Sequence, residues 1–281
     1  MEQTKLQPRG GLTGFHLKYL ALFLMVLDHI HYFFGFTGKI PVWFSMLGRL
    51  SAPLFLFCVV EGFIHTHDRR RYFLRLYAIA VGMGILQYIF IVSSWKRPDG
   101  FYPQNQIFAN FVILLVILQG LDWCAQKHWC KGLAAVLLPL AWPYLVLLAS
   151  MLIPALNPWV GLVHYTLLPM HSAIADGGTV YILLGVLLYV LRGHRKVQAA
   201  AFFAATMLFY GVLVFWTVPG ITLMQMFTEA YEWMGAFAAI PMLLYNGERG
   251  HGSKSFFYWF YPAHVYILFA LSWGLYLILH R

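Results

Sequence analysis

The first long apolar stretch of the sequence, FHLKYLALFLMVLDHIHYFFGF at residues 15–36, decides the class of protein. About 20 predominantly apolar residues in a row form an α-helix long enough to cross the hydrocarbon core of a bilayer. Similar stretches follow along the chain, at residues 41–65, 71–94, 106–126, 132–153, 176–191, 197–218, 222–245 and 256–280. The sequence therefore predicts an all-α polytopic membrane protein with about nine transmembrane helices in one bundle.

The composition supports this class. Of the 281 residues, 61% are hydrophobic and only 10% are charged, whereas a soluble domain carries about 25% charged residues. These values exclude a soluble enzyme, a disordered chain and, despite the net charge of +9, a nucleic-acid-binding domain. No linker or repeat divides the chain, so we predict a single domain over residues 1–281.

Loop charges predict the orientation, because the cytoplasmic loops of membrane proteins are enriched in lysine and arginine. Nine spans with a cytoplasmic N-terminus place most basic clusters on the cytoplasmic side, at residues 5–9, 69–71, 127–131, 192–196 and 249–254. The stretch 157–173 is short and contains prolines, which fits a tenth span, a re-entrant turn or an interfacial helix. A tenth span would move the cluster 192–196 outside, so we predict nine spans and a stretch 157–173 that does not cross.

Ionisable residues within the first span are candidates for function, because a charged group at the centre of a bilayer costs at least about 2.5–3.5 kcal/mol. Lys18 and His29 are eleven positions apart, close to three helical turns, so they share one face and lie roughly 16 Å apart. This arrangement suits an anionic substrate that enters from the cytoplasm, with a proton acceptor at its reactive end. An equally weighted alternative is that Lys18 reaches lipid headgroups and His29 hydrogen-bonds a neighbouring helix.

Other intramembrane charges are expected to form pairs, since a buried carboxylate needs a partner. Asp28 points about 100° away from His29, so we expect it to pair with Arg49 or Arg75 on another helix. Glu61 lies in the same stretch as Arg49 but on a different face, and it is one turn from His65. The alternative for both Arg49 and Glu61 is an interhelical pair that only fixes packing.

A basic strip begins the third span. Arg69, Arg70 and Arg71 are consecutive, and Arg75 continues the strip one turn further into the helix. Such a cluster either sets the topology and attracts lipid phosphates or binds the phosphates of a nucleotide-containing donor such as coenzyme A.

The C-terminal part of the sequence adds a turn and a second histidine. The segment LLYNGERG at residues 243–250 is turn-like and carries Asn246 and Arg249, and its amides are candidates for an anion nest. In the last span, Tyr261 and His264 share a face. An interfacial belt explains an aromatic run but needs no histidine one turn deeper, so His264 is a site candidate.

Three segments together resemble the TraX family of multi-spanning membrane proteins. They are LDHI at 27–30, LGRLSAPLFLFCVVEGFIHTHDRRRYFLRL at 47–76, and LLYNGERG followed by FFYWFYPAHVYIL within 243–268. The family's activity is N-acetylation of the N-terminal residue of a conjugative pilin subunit. More distantly, the chain is similar to transmembrane acyltransferases that take an acyl group from cytoplasmic coenzyme A.

The resemblance implies acetyl-CoA as the acyl donor, no metal, and a location in the bacterial cytoplasmic membrane. Those acyltransferases have a basic residue, ten others and then a histidine in the first span, and Lys18 and His29 fit this spacing, with lysine where arginine is usual. The resemblance thus implies that His29 is the catalytic residue. The acceptor is left open among a pilin-like subunit or other peptide, a glycan and a small molecule.

Our leading hypothesis is acyl transfer with His29 as the general base. The candidate catalytic residues are His29, Asp28, His264 and Tyr261. The candidates for binding the donor or stabilising the oxyanion are Lys18, Arg49, Arg69, Arg70, Arg71, Arg75, Asn246, Arg249 and Tyr258.

Three rival functions use the same residues. A transporter or flippase would use the intramembrane charges for substrate passage. A haem-binding electron carrier would use two intramembrane histidines such as His29 and His264. A zinc site is weakly supported, because His29 and His31 point to different faces and neither HExxH nor CxxC occurs in the sequence.

Overall fold

The computed structural model describes residues 10–168, 177–252 and 254–280. Within these residues all regular secondary structure is helical, apart from one isolated β-bridge between Leu12 and Tyr245. The helices are α1 (Gly14–Phe34), α2 (Trp43–Gly48), α3 (Ser51–His65), α4 (Arg69–Val92), α5 (Ile107–Ala125), α6 (Trp129–Leu152), α7 (Asn157–Thr166), α8 (Gly178–Val190), α9 (Arg195–Thr206), α10 (Leu213–Thr217), α11 (Gln225–Thr228), α12 (Ala239–Leu243) and α13 (Lys254–Leu279).

Seven helical stretches in the described part of the chain are long and apolar enough to cross a membrane. Three of them combine several elements. Helix α1 continues into a 3-10 turn, Gly35–Thr37, α2 continues into α3, and α9 continues through a π-helical turn, Met207–Val212, into α10. The chain is therefore an all-helical integral membrane protein. The predicted count of nine spans is not confirmed.

The two remaining predicted spans form shorter or irregular elements. Helix α8 has 13 residues, about 20 Å at 1.5 Å per residue, which is less than the roughly 30 Å of a bilayer core. The stretch 222–245 divides into α11, a 3-10 helix over Tyr231–Ala238, and α12. Hydrophobicity alone did not predict this break, because it follows from close packing: a Cβ on Gly235 would lie 3.1 Å from the Arg49 carbonyl oxygen.

The stretch 157–173 contains α7, which has 10 residues and is too short to cross. This agrees with the predicted non-crossing segment as far as residue 168. The rest of the stretch lies outside the described residues.

The start of α1 is fixed to the loop that precedes α13. The Thr13 hydroxyl accepts from the His16 amide, and the Thr13 amide donates to the His16 ring, which forms a capping box. The Gly14 and Phe15 amides, which have no partner within the helix, donate to the carbonyls of Glu248 and Arg249. This connection brings the two ends of the sequence together beside the cavity described below.

A buried arginine joins three elements at the opposite end of the bundle. Arg97, in the loop before α5, is 4% exposed. Its guanidinium donates to the Asp99 carboxylate, to the Phe33 carbonyl at 3.1 Å and to the Ser272 hydroxyl at 3.4 Å. It also lies over the Phe101 ring. These bonds hold the loop 93–106, and hence Asn105, against α1 and α13.

Candidate functional site

A cavity of about 1000 Å³ lies between α1, α3, α4, α8 and α13. Small-molecule sites have volumes of about 300–1,000 Å³, so this cavity is large enough for a sizeable ligand. One end, which we call the basic end, is where α1 and α4 begin and is lined by Lys18, Arg71, Arg75 and Arg249. The other end reaches His29, eleven residues and roughly 16 Å along α1 from Lys18.

The basic end carries positive charge that the carboxylates of the described residues do not balance. The acidic residues of the cavity wall are paired: Asp28 and Glu232 with Arg49, Glu61 with Arg195 and His65, and Asp68 with Arg71. Within the described part of the chain, no carboxylate forms an ion pair with Lys18, Arg75 or Arg249. Three cations therefore remain to attract an anionic ligand.

His29 lies at the inner end of the cavity and is 5% exposed. Its Nδ1 is 2.6 Å from Nε2 of His264 on α13. The two rings are nearly parallel, with an interplanar angle of 13°. His264 does not line the cavity; it lies behind His29 and fixes the orientation of its ring.

The hydrogen bonds determine which ring nitrogens carry protons. His264 Nδ1 is 2.9 Å from the Phe260 carbonyl oxygen, which only accepts, so Nδ1 carries a hydrogen. In a neutral ring its Nε2 then has a lone pair, and His29 Nδ1 donates to it. The lone pair of His29 is consequently on Nε2, where it accepts from Asn105 Nδ2 at 3.2 Å.

Asn105 is a site residue that sequence reasoning missed. It lies in the loop before α5 and lines the cavity beside His29. A residue in a loop has no helical periodicity to indicate where it points. The available signal was the polar run Gln104, Asn105 and Gln106 directly before an apolar span.

Asp28 and Arg49 form an ion pair, which confirms the pairing predicted for Asp28. Arg49 Nη2 lies 2.5 Å from Asp28 Oδ1, and the Ser45 hydroxyl donates to the same oxygen at 2.7 Å. Arg49 Nη1 is 3.4 Å from Glu232 on the 3-10 segment. The pair thus joins α1, the start of the second span and the broken element beside the site.

The structure separates the predicted arginine cluster. Arg71 lines the cavity, whereas Arg69 and Arg70 do not. Arg69 forms an ion pair with Asp122 on α5 at 2.5 Å and lies over the Phe63 ring. Arg75 lines the cavity and interacts with the Tyr258 hydroxyl. Consecutive positions on a helix point about 100° apart, so all three arginines of the cluster cannot face one cavity.

Some of the remaining predicted residues line the cavity and others do not. Tyr258 and Tyr261 line the cavity, and the Tyr261 ring packs edge-on against His29 at 6.3 Å between centroids. Asn246 does not line it; its side-chain oxygen accepts from the Glu248 amide and stabilises the turn. Glu61 and His65 lie one turn apart, with 3.7 Å between Glu61 Oε2 and His65 Nδ1, so they are in contact as expected.

A smaller pocket of about 430 Å³ lies towards the opposite end of the bundle. Its wall includes His31, Ser45 and Tyr231. Tyr32 and Arg49 line both this pocket and the larger cavity, so these two side chains separate them.

The contact between His29 and His264 does not fit haem ligation by these two residues. Two imidazole nitrogens that bind one iron from opposite sides are about 4 Å apart, at roughly 2 Å per bond, whereas those of His29 and His264 are 2.6 Å apart. Among the described residues no three His, Cys, Asp or Glu side chains are grouped as metal ligands.

Fold and site together define an integral membrane protein with a cavity that leads from a basic end to a buried histidine pair. The profile of the TraX family, described as "TraX protein", matches residues 13–272. The chain therefore belongs to the TraX family, and the resemblance seen in the sequence is confirmed.

Two relatives are similar to this chain. A Dichelobacter nodosus protein named "Probable fimbrial assembly protein FimC, serogroup H1" is 26% identical over 272 residues, which cover 91% of this chain and 94% of the relative. "Protein TraX" of Escherichia coli is 32% identical over 130 residues, 45% of this chain and 46% of the relative. No solved structure matches.

Proposed function

We propose that this protein is a membrane-embedded acyltransferase that moves an acetyl group from acetyl-CoA to an amine or hydroxyl of an acceptor. The observation that carries the proposal is the position of His29, beside Asn105 at the inner end of a cavity whose other end holds Lys18, Arg75 and Arg249, none of them paired with a described carboxylate. A long anionic thioester fits such a cavity with its phosphates at one end and its reactive carbon at the other.

Lys18, Arg71, Arg75 and Arg249 are the residues proposed to bind the phosphates of the donor, because they line the basic end and charge-assisted hydrogen bonds to phosphate are strong. The roughly 16 Å between Lys18 and His29 is the space for the pantetheine arm. Following the distribution of loop charge, the donor enters from the cytoplasm, in a protein of the bacterial inner membrane.

His29 acts as the general base in this mechanism. The acceptor nitrogen or oxygen attacks the thioester carbonyl carbon while its proton moves to His29 Nε2. The bond to sulfur then breaks, the acetyl group stays on the acceptor, and the thiolate takes the proton from His29 to give free coenzyme A. Atoms and charge balance without a further reactant.

His264 and the cavity wall have supporting roles. His264 Nε2 accepts the Nδ1 hydrogen of His29, so it stabilises the imidazolium that forms on His29. The positive charge of Arg49 and the hydroxyl of Tyr261 are the proposed stabilisers of the oxyanion. The Tyr258 hydroxyl interacts with Arg75 at the basic end. Asp28 keeps Arg49 in place.

The proposed acceptor is a pilin-like subunit. The family precedent is pilin acetylation, and the D. nodosus relative is named for fimbrial assembly. Mass spectrometry of membrane and secreted proteins, from cells with and without this protein, should find a subunit that loses an acetyl mark.

Transfer of label from radioactive acetyl-CoA by the purified protein in detergent tests the activity. We expect His29→Ala to reduce transfer about 10²- to 10⁴-fold, the usual contribution of a general base. His31→Ala is the matched control, because His31 lies on the same helix but lines only the smaller pocket. Turnover equal to wild type in His29→Ala would remove His29 from this role.

One observation favours a transporter as the second candidate. Among the described residues, the walls of the two pockets share only Tyr32 and Arg49, so a change in the position of these two side chains would connect the pockets into one passage. Uptake or lipid flipping by proteoliposomes without any acyl donor would support transport instead.

A further inference from the structure

We infer that Asn105 is the residue that selects a primary amine over a hydroxyl as the acceptor, by binding the second N–H of the amine. The inference rests on the proposed acyl transfer. Asn105 is not part of the sequence pattern that pointed to Lys18 and His29.

The orientation of the Asn105 amide follows from the hydrogen-bond chain. The Phe260 carbonyl fixes a hydrogen on His264 Nδ1, His29 Nδ1 donates to His264 Nε2, and His29 Nε2 is left as an acceptor. Asn105 therefore presents Nδ2, not its oxygen, to His29. If the amide were reversed, two lone pairs would face each other.

The oxygen of the Asn105 amide, Oδ1, is buried and has no hydrogen-bond partner among the described residues. A buried oxygen without a donor costs about 1–3 kcal/mol, and few such groups occur in native structures. Because Asn105 lines the cavity next to His29, a ligand that reaches His29 can supply the missing donor.

A neutral primary amine meets this requirement. It has two N–H bonds: one replaces Asn105 Nδ2 on the His29 lone pair and gives up its proton during attack, and the other donates to Asn105 Oδ1. A hydroxyl has one hydrogen and a neutral secondary amine has one N–H, so each satisfies His29 alone. A site built to bind an N–H discriminates strongly against analogues that lack it.

Three matched probes test this: alanine methyl ester, its N-methyl derivative and methyl lactate, each with labelled acetyl-CoA and the full chain in detergent. Asn105→Leu removes the acceptor oxygen at similar volume, and Asn105→Asp keeps it. We expect the leucine variant to lose about tenfold in kcat/KM for the primary amine only. We expect the aspartate variant to keep the preference for the primary amine.

Gln104→Leu is the control, since Gln104 lines the same cavity and has no assigned role. If the leucine variant does not fold, Asn105→Ala replaces it. An equal loss with all three probes, or an unchanged ratio, overturns the inference and leaves the acyltransferase proposal intact. Absence of transfer by the wild-type protein to every probe overturns the proposed function, and the role of Asn105 with it.

Discussion

His29 on α1 and His264 on α13 are in direct hydrogen-bond contact, 2.6 Å apart, although 235 positions separate them in the sequence. Each ring has one further hydrogen bond: His264 donates to the Phe260 carbonyl, and His29 accepts from Asn105. Together these two bonds determine that His29 is the donor in the bond between the rings. The acceptor nitrogen of the pair is thus His29 Nε2, beside Asn105 in the wall of the cavity.

Removal of the hydrogen-bond acceptor behind His29 should reduce catalysis without affecting donor binding. We expect His264→Leu to lower kcat about 10- to 100-fold, because the Nδ1 hydrogen of His29 then lacks a partner, at a cost of about 1–3 kcal/mol. KM for acetyl-CoA should stay within twofold, because His264 does not line the cavity. Steady-state kinetics in detergent separate the two constants.

His264→Gln is the matched control, since its side-chain oxygen also accepts a hydrogen bond. It should recover most of the lost kcat. A glutamine variant as slow as the leucine variant would contradict the orienting role of His264.

The cations of the basic end should determine donor affinity. Arg75→Gln and Arg249→Gln remove a charge from the cavity wall, and we expect each to raise KM for acetyl-CoA about tenfold with little change in kcat. Arg70→Gln should have no effect, because Arg70 is exposed and does not line the cavity. An equal rise in KM for Arg70→Gln would mean that the whole arginine cluster binds the donor.

The ion pair between Asp28 and Arg49 should contribute to stability. Its side chains are 20% and 28% exposed, so we expect Asp28→Asn to cost about 1–3 kcal/mol, less than the roughly 3–5 kcal/mol for a fully buried pair. Thermal unfolding in detergent measures this loss. In a double-mutant cycle with Arg49→Met, additive losses would show that the two side chains are not coupled.

The Arg97–Asp99 interaction, which holds the loop that carries Asn105, should lose its contribution to stability only in strong acid. Hydrogen bonds from Arg97 lower the pKa of Asp99 below its ordinary value of 3.8. A carboxylate with a lowered pKa in the folded state stabilises it above the unfolded pKa, and this effect is lost as the pH falls through the folded pKa. We expect Asp99→Asn to lower the unfolding temperature at pH 6, with a difference that shrinks as the pH falls below 3.8 and disappears once Asp99 is protonated in the folded state. A difference independent of pH would contradict the role of the Asp99 charge.

Helical spacing predicted relative positions where residues lie on regular helices. Lys18 and His29 share a helical face and line one cavity, and Asp28 pairs with Arg49 as expected. The predictions were less successful in irregular segments. Asn105 and Glu232 have no periodic signal, and Arg97 is buried because three elements converge on it.

The sequence by itself determined that the chain is a helical membrane protein and which face of α1 carries the polar residues. Both follow from local physics, since a backbone in lipid must satisfy its hydrogen bonds within the helix and helical spacing fixes relative direction. Only the tertiary structure decided which arginines face the cavity, that His29 contacts His264, and that the stretch 222–245 is broken. These features depend on how distant helices pack, and the partner of a side chain on another element leaves no pattern in its own sequence neighbourhood.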